Sequence, residues 1–210
     1  MPLSFRYELD LQCLGWAKLI LGNGTEEFCI HLEYGRDYLG EFANVAANVC
    51  RSFANTTVIL EQLPSRGYAC NVWRDGERLS IKVRKLDALD NYTQMHQGET
   101  QFEATCEHRD FAVEVARELD RILREHGLCG YMKHWYTDPF PLYEYFRLRM
   151  LLDRSPLVQQ VESEVRAGRS AASLELQLLL TPPELDAQGS GVAISLAPYE
   201  GGPSESGAQT

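Results

Sequence analysis

Basic side chains are scarce in this 210-residue chain: 20 Lys and Arg stand against 30 Asp and Glu, for a formal net charge of −10. Binding nucleic acid through a generic basic face needs clustered cations to neutralise phosphates, so that class is disfavoured and a basic protein partner is favoured. No window holds the roughly eighteen apolar residues of a membrane span. The opening MPLSFRYELDLQ lacks a basic segment followed by an apolar run, so no secretory signal is expected. Both absences point to a cytoplasmic protein with no membrane partner. Six cysteines, at 13, 29, 50, 70, 106 and 129, show no CxxC spacing, which argues against a zinc ribbon or a disulfide framework. There is also no GxSxG elbow, no GxxxxGK[ST] loop and no GxGxxG. No cofactor, metal or catalytic residue is therefore expected.

Alternating apolar residues dominate the first half. FRYELDLQ, residues 5–12, predicts a strand with Phe5, Tyr7, Leu9 and Leu11 on one face. Asn23-Gly24 suits a two-residue hairpin turn, which would set Leu19 against Phe28, Ala17 against Ile30 and Trp16 against His31. Asp37 suits the cap of a helix reaching about Phe53, and NTTVILEQL suits a strand. Asp75-Gly76 marks a second hairpin with Val72 against Leu79, Cys70 against Ile81 and a Trp73–Arg78 cation–π pair on the other side. Residues 87–99 read as a polar loop and TQFEATCEH as a strand.

Helical spacing takes over in RDFAVEVARELDRILREHG, where Phe111, Val115, Leu119 and Ile122 form one stripe and Gly127 marks the end. Pro141 and Ser155-Pro156 suit the starts of two shorter helices. The expected fold class is α+β: a mostly antiparallel sheet built from hairpins, helices packed on one face, then a short C-terminal helix and a flexible tail. The expected divisions are an α+β domain over 1–153, a short helix over 154–168 and an acidic Gly/Ser/Pro-rich tail over 169–210. Within that tail, SLELQLLL and GVAISLAPY have strand-like character.

Candidate chemistry is sparse. Cys106, His108, His126 and Cys129 have the right ligand types for zinc. The helix of about eighteen residues between the two pairs separates them by about 27 Å, too far to share an ion. Cys106 and His108 share a strand face, although alternation alone does not orient one toward the other.

The segment GYMKHWYTDPFPLYEYF holds seven of the chain's 21 aromatic residues. It lies between two predicted helices, so Tyr131, Trp135 and Phe140 are expected to form a strap that seals the core edge. Trp16 and Trp73, by contrast, fall on the outward faces of the two hairpins. With His31, Asn71 and Arg78 they form the expected partner-binding set, a composition common at interface hot spots.

Taken together, GWAKLILGNG, DYLGEFANVAANVCRSF, GYACNVWRDGERLSIKV, RDFAVEVARELDRIL and GYMKHWYTDPFPL give residues 5–152 a pattern that resembles a group of small bacterial cytoplasmic α+β proteins. Such proteins look similar in size and acidity to the immunity proteins of bacterial polymorphic toxin systems. The resemblance implies a non-enzymatic module that binds a cognate basic toxin and blocks it by occlusion. Two other readings stand beside it: a small hydrolase or metal-dependent enzyme using His108 and His134 with nearby carboxylates, and a regulatory or scaffold subunit acting through its tail.

Overall fold

The computed structural model describes residues 3–33, 35–51, 55–62, 66–86 and 98–185. Two antiparallel sheets carry the fold. The first has the order β1-β2-β3, from Ser4–Leu9, Trp16–Gly22 and Glu27–Glu33. Helix α1, Tyr38–Val49, then leads to the second sheet, whose order β4-β5-β6-β7 follows the chain through Asn55–Gln62, Arg66–Asp75, Arg78–Leu86 and Thr100–Glu107. Helices α2 (His108–Trp135), α3 (Leu142–Leu152), α4 (Pro156–Arg166) and α5 (Ala172–Leu180) complete the described chain. The class is α+β, as runs of strand-period segments followed by a run of helix-period segments predict.

Both hairpins form, each displaced by two residues from the register that its turn dipeptide suggests. In the first, Leu19 pairs with Ile30, Ala17 with Leu32 and Lys18 with His31, so Trp16 sits opposite Glu33. The Asn23 side chain explains the slip. Its Oδ1 accepts from the backbone N–H groups of Thr25 and Glu26, both at 3.0 Å, and organises a four-residue connection in place of a two-residue turn. In the second hairpin Val72 pairs with Ile81, Cys70 with Val83 and Asp75 with Arg78. The turn residues are Gly76 and Glu77, and Gly76 takes the positive φ of 58° demanded of the first central residue in a type II′ turn. Trp73 therefore faces Ser80, and the expected cation–π pair with Arg78 is not formed. A slip of two preserves the facing of every side chain, so the inward and outward sets survive the error in register.

One core lies beneath both sheets. Phe5, Tyr7 and Leu9 point into it from β1, while Leu11 lies beyond the strand and is exposed. Phe42 and Phe111 meet Phe5 at ring-centroid distances of 5.2 and 6.4 Å, which ties α1 and α2 to the first sheet. Asp37 caps α1 by accepting the Gly40 N–H at 2.8 Å. The outer edge of β1 is also covered. Buried Glu118 on α2 accepts the Tyr7 N–H at 2.6 Å, and Arg121 donates to the Tyr7 carbonyl and to Glu118. The outward-facing N–H and carbonyl of Tyr7 on this edge strand are thereby satisfied by one ion pair.

Gly127 ends the first helical run, as its place in the sequence predicts. Its φ of 65° and ψ of 176° break the helix at a kink, and a second helical run, joined to the first within α2, continues to Trp135. The aromatic strap is thus largely a second helical section. Tyr131 and Trp135 are fully buried and Phe140 nearly so, with Trp135 edge-on to Tyr7 at 5.9 Å and to Tyr38 at 6.3 Å.

SLELQLLL, expected to have strand character, is helix α5, and it is packed: Leu178 joins Val158, Val161 and Ala171 in a small second cluster. A buried ion pair fastens this end of the chain. Arg149 Nε donates to Asp153 at 2.7 Å, and its Nη1 donates to the carbonyls of Leu178 and Thr181 and to the Tyr145 hydroxyl. Asp153 accepts in turn from the N–H groups of Ser155 and Glu184. GVAISLAPY, and nearly all of the polar loop expected at 87–99, lie outside the described residues.

Candidate functional site

Strand period places the candidate site. Along β5, Cys70 and Val72 enter the core, so Asn71 and Trp73 face outward; along β6, Leu79, Ile81 and Val83 enter it, which leaves Ser80, Lys82 and Arg84 outside. Register then sets Trp73 between Asn55 of β4 and Ser80 of β6. Both neighbours are too small to cover an indole, and Trp73 remains 60% exposed. A shallow groove of about 560 Å³ runs over this face, with Asn55, Thr57, Asn71, Trp73, Ser80 and Lys82 among its lining residues.

Polar side chains within the groove are bonded to one another and to nearby backbone. Thr57 donates its hydroxyl to Asn71 Oδ1 at 3.0 Å, and Lys82 pairs with Glu103 of β7 at 3.0 Å. Arg84 reaches the Gly98 carbonyl at 3.3 Å. These contacts fix the side chains around the tryptophan, so a partner would meet a preordered surface and lose less side-chain entropy on binding.

The five residues expected to bind a partner divide between the sheets. Asn71 and Trp73 line the groove. Arg78 is at the hairpin end of the same face, opposite Asp75 and Glu107, where it borders a separate shallow hollow of about 360 Å³ with Thr105 and Cys106. Trp16 and His31 belong to the outward face of the first sheet, with Trp16 half-buried and His31 exposed. Neither lines the Trp73 groove. Thr57, Ser80, Lys82 and Glu103 were missed by the sequence reading. Their signal was present: each occupies an alternate, outward position on a strand whose inward set is apolar.

The residues singled out for chemistry do not converge on one site, although the His126 and His134 rings lie 5.9 Å apart. His108 and His134 lie at opposite ends of the 28-residue α2. His108 Nδ1 is 3.2 Å from the Glu77 carbonyl, and burial holds its pKa below the usual histidine range. Burial pushes the Cys106 thiol up to about 12, with Asp110 adding to the effect, so a thiolate nucleophile is strongly disfavoured there. Among the described residues no group of His, Cys, Asp and Glu is arranged to hold a metal ion, and no helix is long and apolar enough to cross a membrane. Comparison with protein-family models, with curated proteins and with solved structures finds no match.

Proposed function

We propose that this chain is a non-enzymatic, cytoplasmic protein-binding module of the bacterial immunity type, which neutralises a basic toxin domain by occluding it. The observation that carries the proposal is Trp73, a large aromatic left uncovered among internally bonded polar side chains. Tryptophan ringed by polar groups that exclude water on docking is the usual composition of an interface hot spot. The groove itself mixes signs, with Lys82 and Arg84 beside Glu103. Attraction to a basic partner therefore rests on the net charge of −10, which acts on encounter, while Trp73 holds the complex once formed.

The test is affinity capture by the intact chain from a lysate of its native host, at low and at high salt, alongside the Trp73→Ala variant. A basic protein captured at low salt, lost at high salt and lost by the variant supports the proposal. Association at a rate indifferent to salt removes its electrostatic part, and equal capture by the variant removes the Trp73 surface.

A further inference from the structure

A second concave site lies away from both sheets, between α3 and α4. It encloses about 330 Å³, and its walls are largely the apolar surfaces of Tyr143, Phe146, Met150, Leu151 and Val165. That volume falls at the small end of ordinary small-molecule sites. Tyr143 and Val165 are 69% and 58% exposed, so apolar surface stands open at the mouth.

Charge distinguishes this groove from a plain apolar cleft. Three guanidinium groups border it, from Arg51, Arg147 and Arg166, against the single carboxylate of Glu162. Arg166 is 3.7 Å from Glu162. Arg147 is held in place by neutral groups only: it donates to Asn44 Oδ1 at 3.0 Å and to Asn48 Oδ1 at 3.1 Å, and it lies over the Tyr143 ring at 5.6 Å. Its Nε is buried without a partner. Arg51 is exposed just beyond α1, and among the described residues no carboxylate pairs with it or with Arg147. Uncompensated positive charge is thus concentrated at one apolar groove of a chain that is otherwise strongly acidic.

We propose that the α3–α4 groove binds a small amphiphilic carboxylate, an aliphatic chain of about eight to ten carbons with one anionic end. The hydrocarbon lies along Phe146, Met150 and Leu151, and the carboxylate sits between Arg51 and Arg147, where planar guanidinium groups match its two oxygens. A neutral apolar molecule would gain the same burial and leave both cations unpaired. A basic molecule would be repelled. The groove lies between two helices of 11 residues each, about 16 Å long, and its volume suits such a ligand better than a partner helix.

Octanoate, titrated into the full chain and followed by calorimetry and by backbone amide shifts, tests the assignment, with 1-octanol as the uncharged control. Saturable one-site binding of octanoate is expected, with shifts centred on α3 and α4 and 1-octanol about tenfold weaker. Arg51→Gln should weaken octanoate about tenfold and leave 1-octanol unchanged. Val165→Asp, which sets a carboxylate at the exposed mouth, should abolish octanoate binding, and an unchanged melting temperature in both variants shows that the fold persists. The proposal is overturned by an absence of saturable octanoate binding, by equal affinity for 1-octanol, by indifference to Arg51→Gln or by shifts centred elsewhere. It is equally overturned if an acidic amphipathic peptide binds the groove where octanoate does not.

Discussion

Trp135 and Trp73 occupy opposite situations in one molecule. Trp135 lies in the segment richest in aromatic residues, yet it is wholly buried between Tyr7 and Tyr38 and touches nothing outside the protein. Trp73 lies in a strand with one other aromatic residue, and most of its surface faces solvent. Aromatic density, then, marks the place where the kinked α2 and the chain leading to α3 must close the core. A solitary aromatic residue on the polar side of an alternating strand has no packing role to explain it. The contrast teaches that periodicity, rather than abundance, separates structural aromatics from those available to a partner.

Several substitutions sharpen or break this contrast, and the largest effect belongs to the core. Trp135→Ala should cost about 3–5 kcal/mol in urea unfolding, because a large cavity would open among Tyr7, Tyr38 and the first sheet. A loss below about 1 kcal/mol would mean that the segment is not a structural seal. Asp153→Ala should cost a comparable amount, about 3–5 kcal/mol, since it leaves the Arg149 guanidinium buried and unpaired. The same variant should release α5, which limited proteolysis between Ala167 and Leu185 would detect. Protection equal to that of the parent chain would show that the ion pair is not what fastens this end.

A smaller effect is expected near the strap. Burial pushes the Asp37 carboxyl up to about 6, with the Gly40 N–H acting in the opposite direction and Asp138, Glu144 and Glu41 adding repulsion. The folded state holds this proton more tightly than the unfolded chain. The ionised carboxylate therefore costs stability in full above about pH 6, and that loss is recovered as pH falls toward about 4. Asp37→Asn keeps a capping oxygen and removes the charge. It should stabilise the protein by about 1 kcal/mol at pH 7, a figure reduced for partial solvent screening, and by almost nothing near pH 4. A difference constant across that range would contradict the assignment. Smallest of all is Trp73→Ala, which should leave stability within about 0.5 kcal/mol of the parent.

Much of the fold was legible because strand alternation and helical spacing decide which residues face the core. The inward sets of β1, β5, β6 and β7 could be read directly from the positions of Phe5, Val72, Ile81 and Phe102. Register was harder. Asn23 and Gly76 each permit more than one turn, and only the Asn23 side-chain bonds and the place of Gly76 as first central residue decide between them. Gly127 breaks the helix as expected, but the segment after it is a second helical run that buries Tyr131 and Trp135, where a non-helical strap was expected. The tail misled by composition. Its Gly, Pro and Ser concentrate after residue 180, whereas SLELQLLL is docked by Arg149, a residue distant in sequence.

Of the candidate surface, Asn71 and Trp73 could be found from alternation alone. Their grouping with Thr57, Ser80 and Glu103 required the strand order, and the separation of Trp16 and His31 required knowing that the hairpins belong to different sheets. The α3–α4 groove gave no linear signal, since Arg51 and Arg147 are brought together only by the packing of α1 against α3.

The most direct measurement is the affinity of the captured partner for three forms of the full chain: parent, Trp73→Ala and Trp16→Ala. If the outer face of the four-stranded sheet is the binding surface, Trp73→Ala should weaken binding by about 2 kcal/mol or more, roughly thirtyfold, while Trp16→Ala changes it less than threefold. Parent-like affinity in Trp73→Ala, with its fold intact, would contradict the assignment of this face.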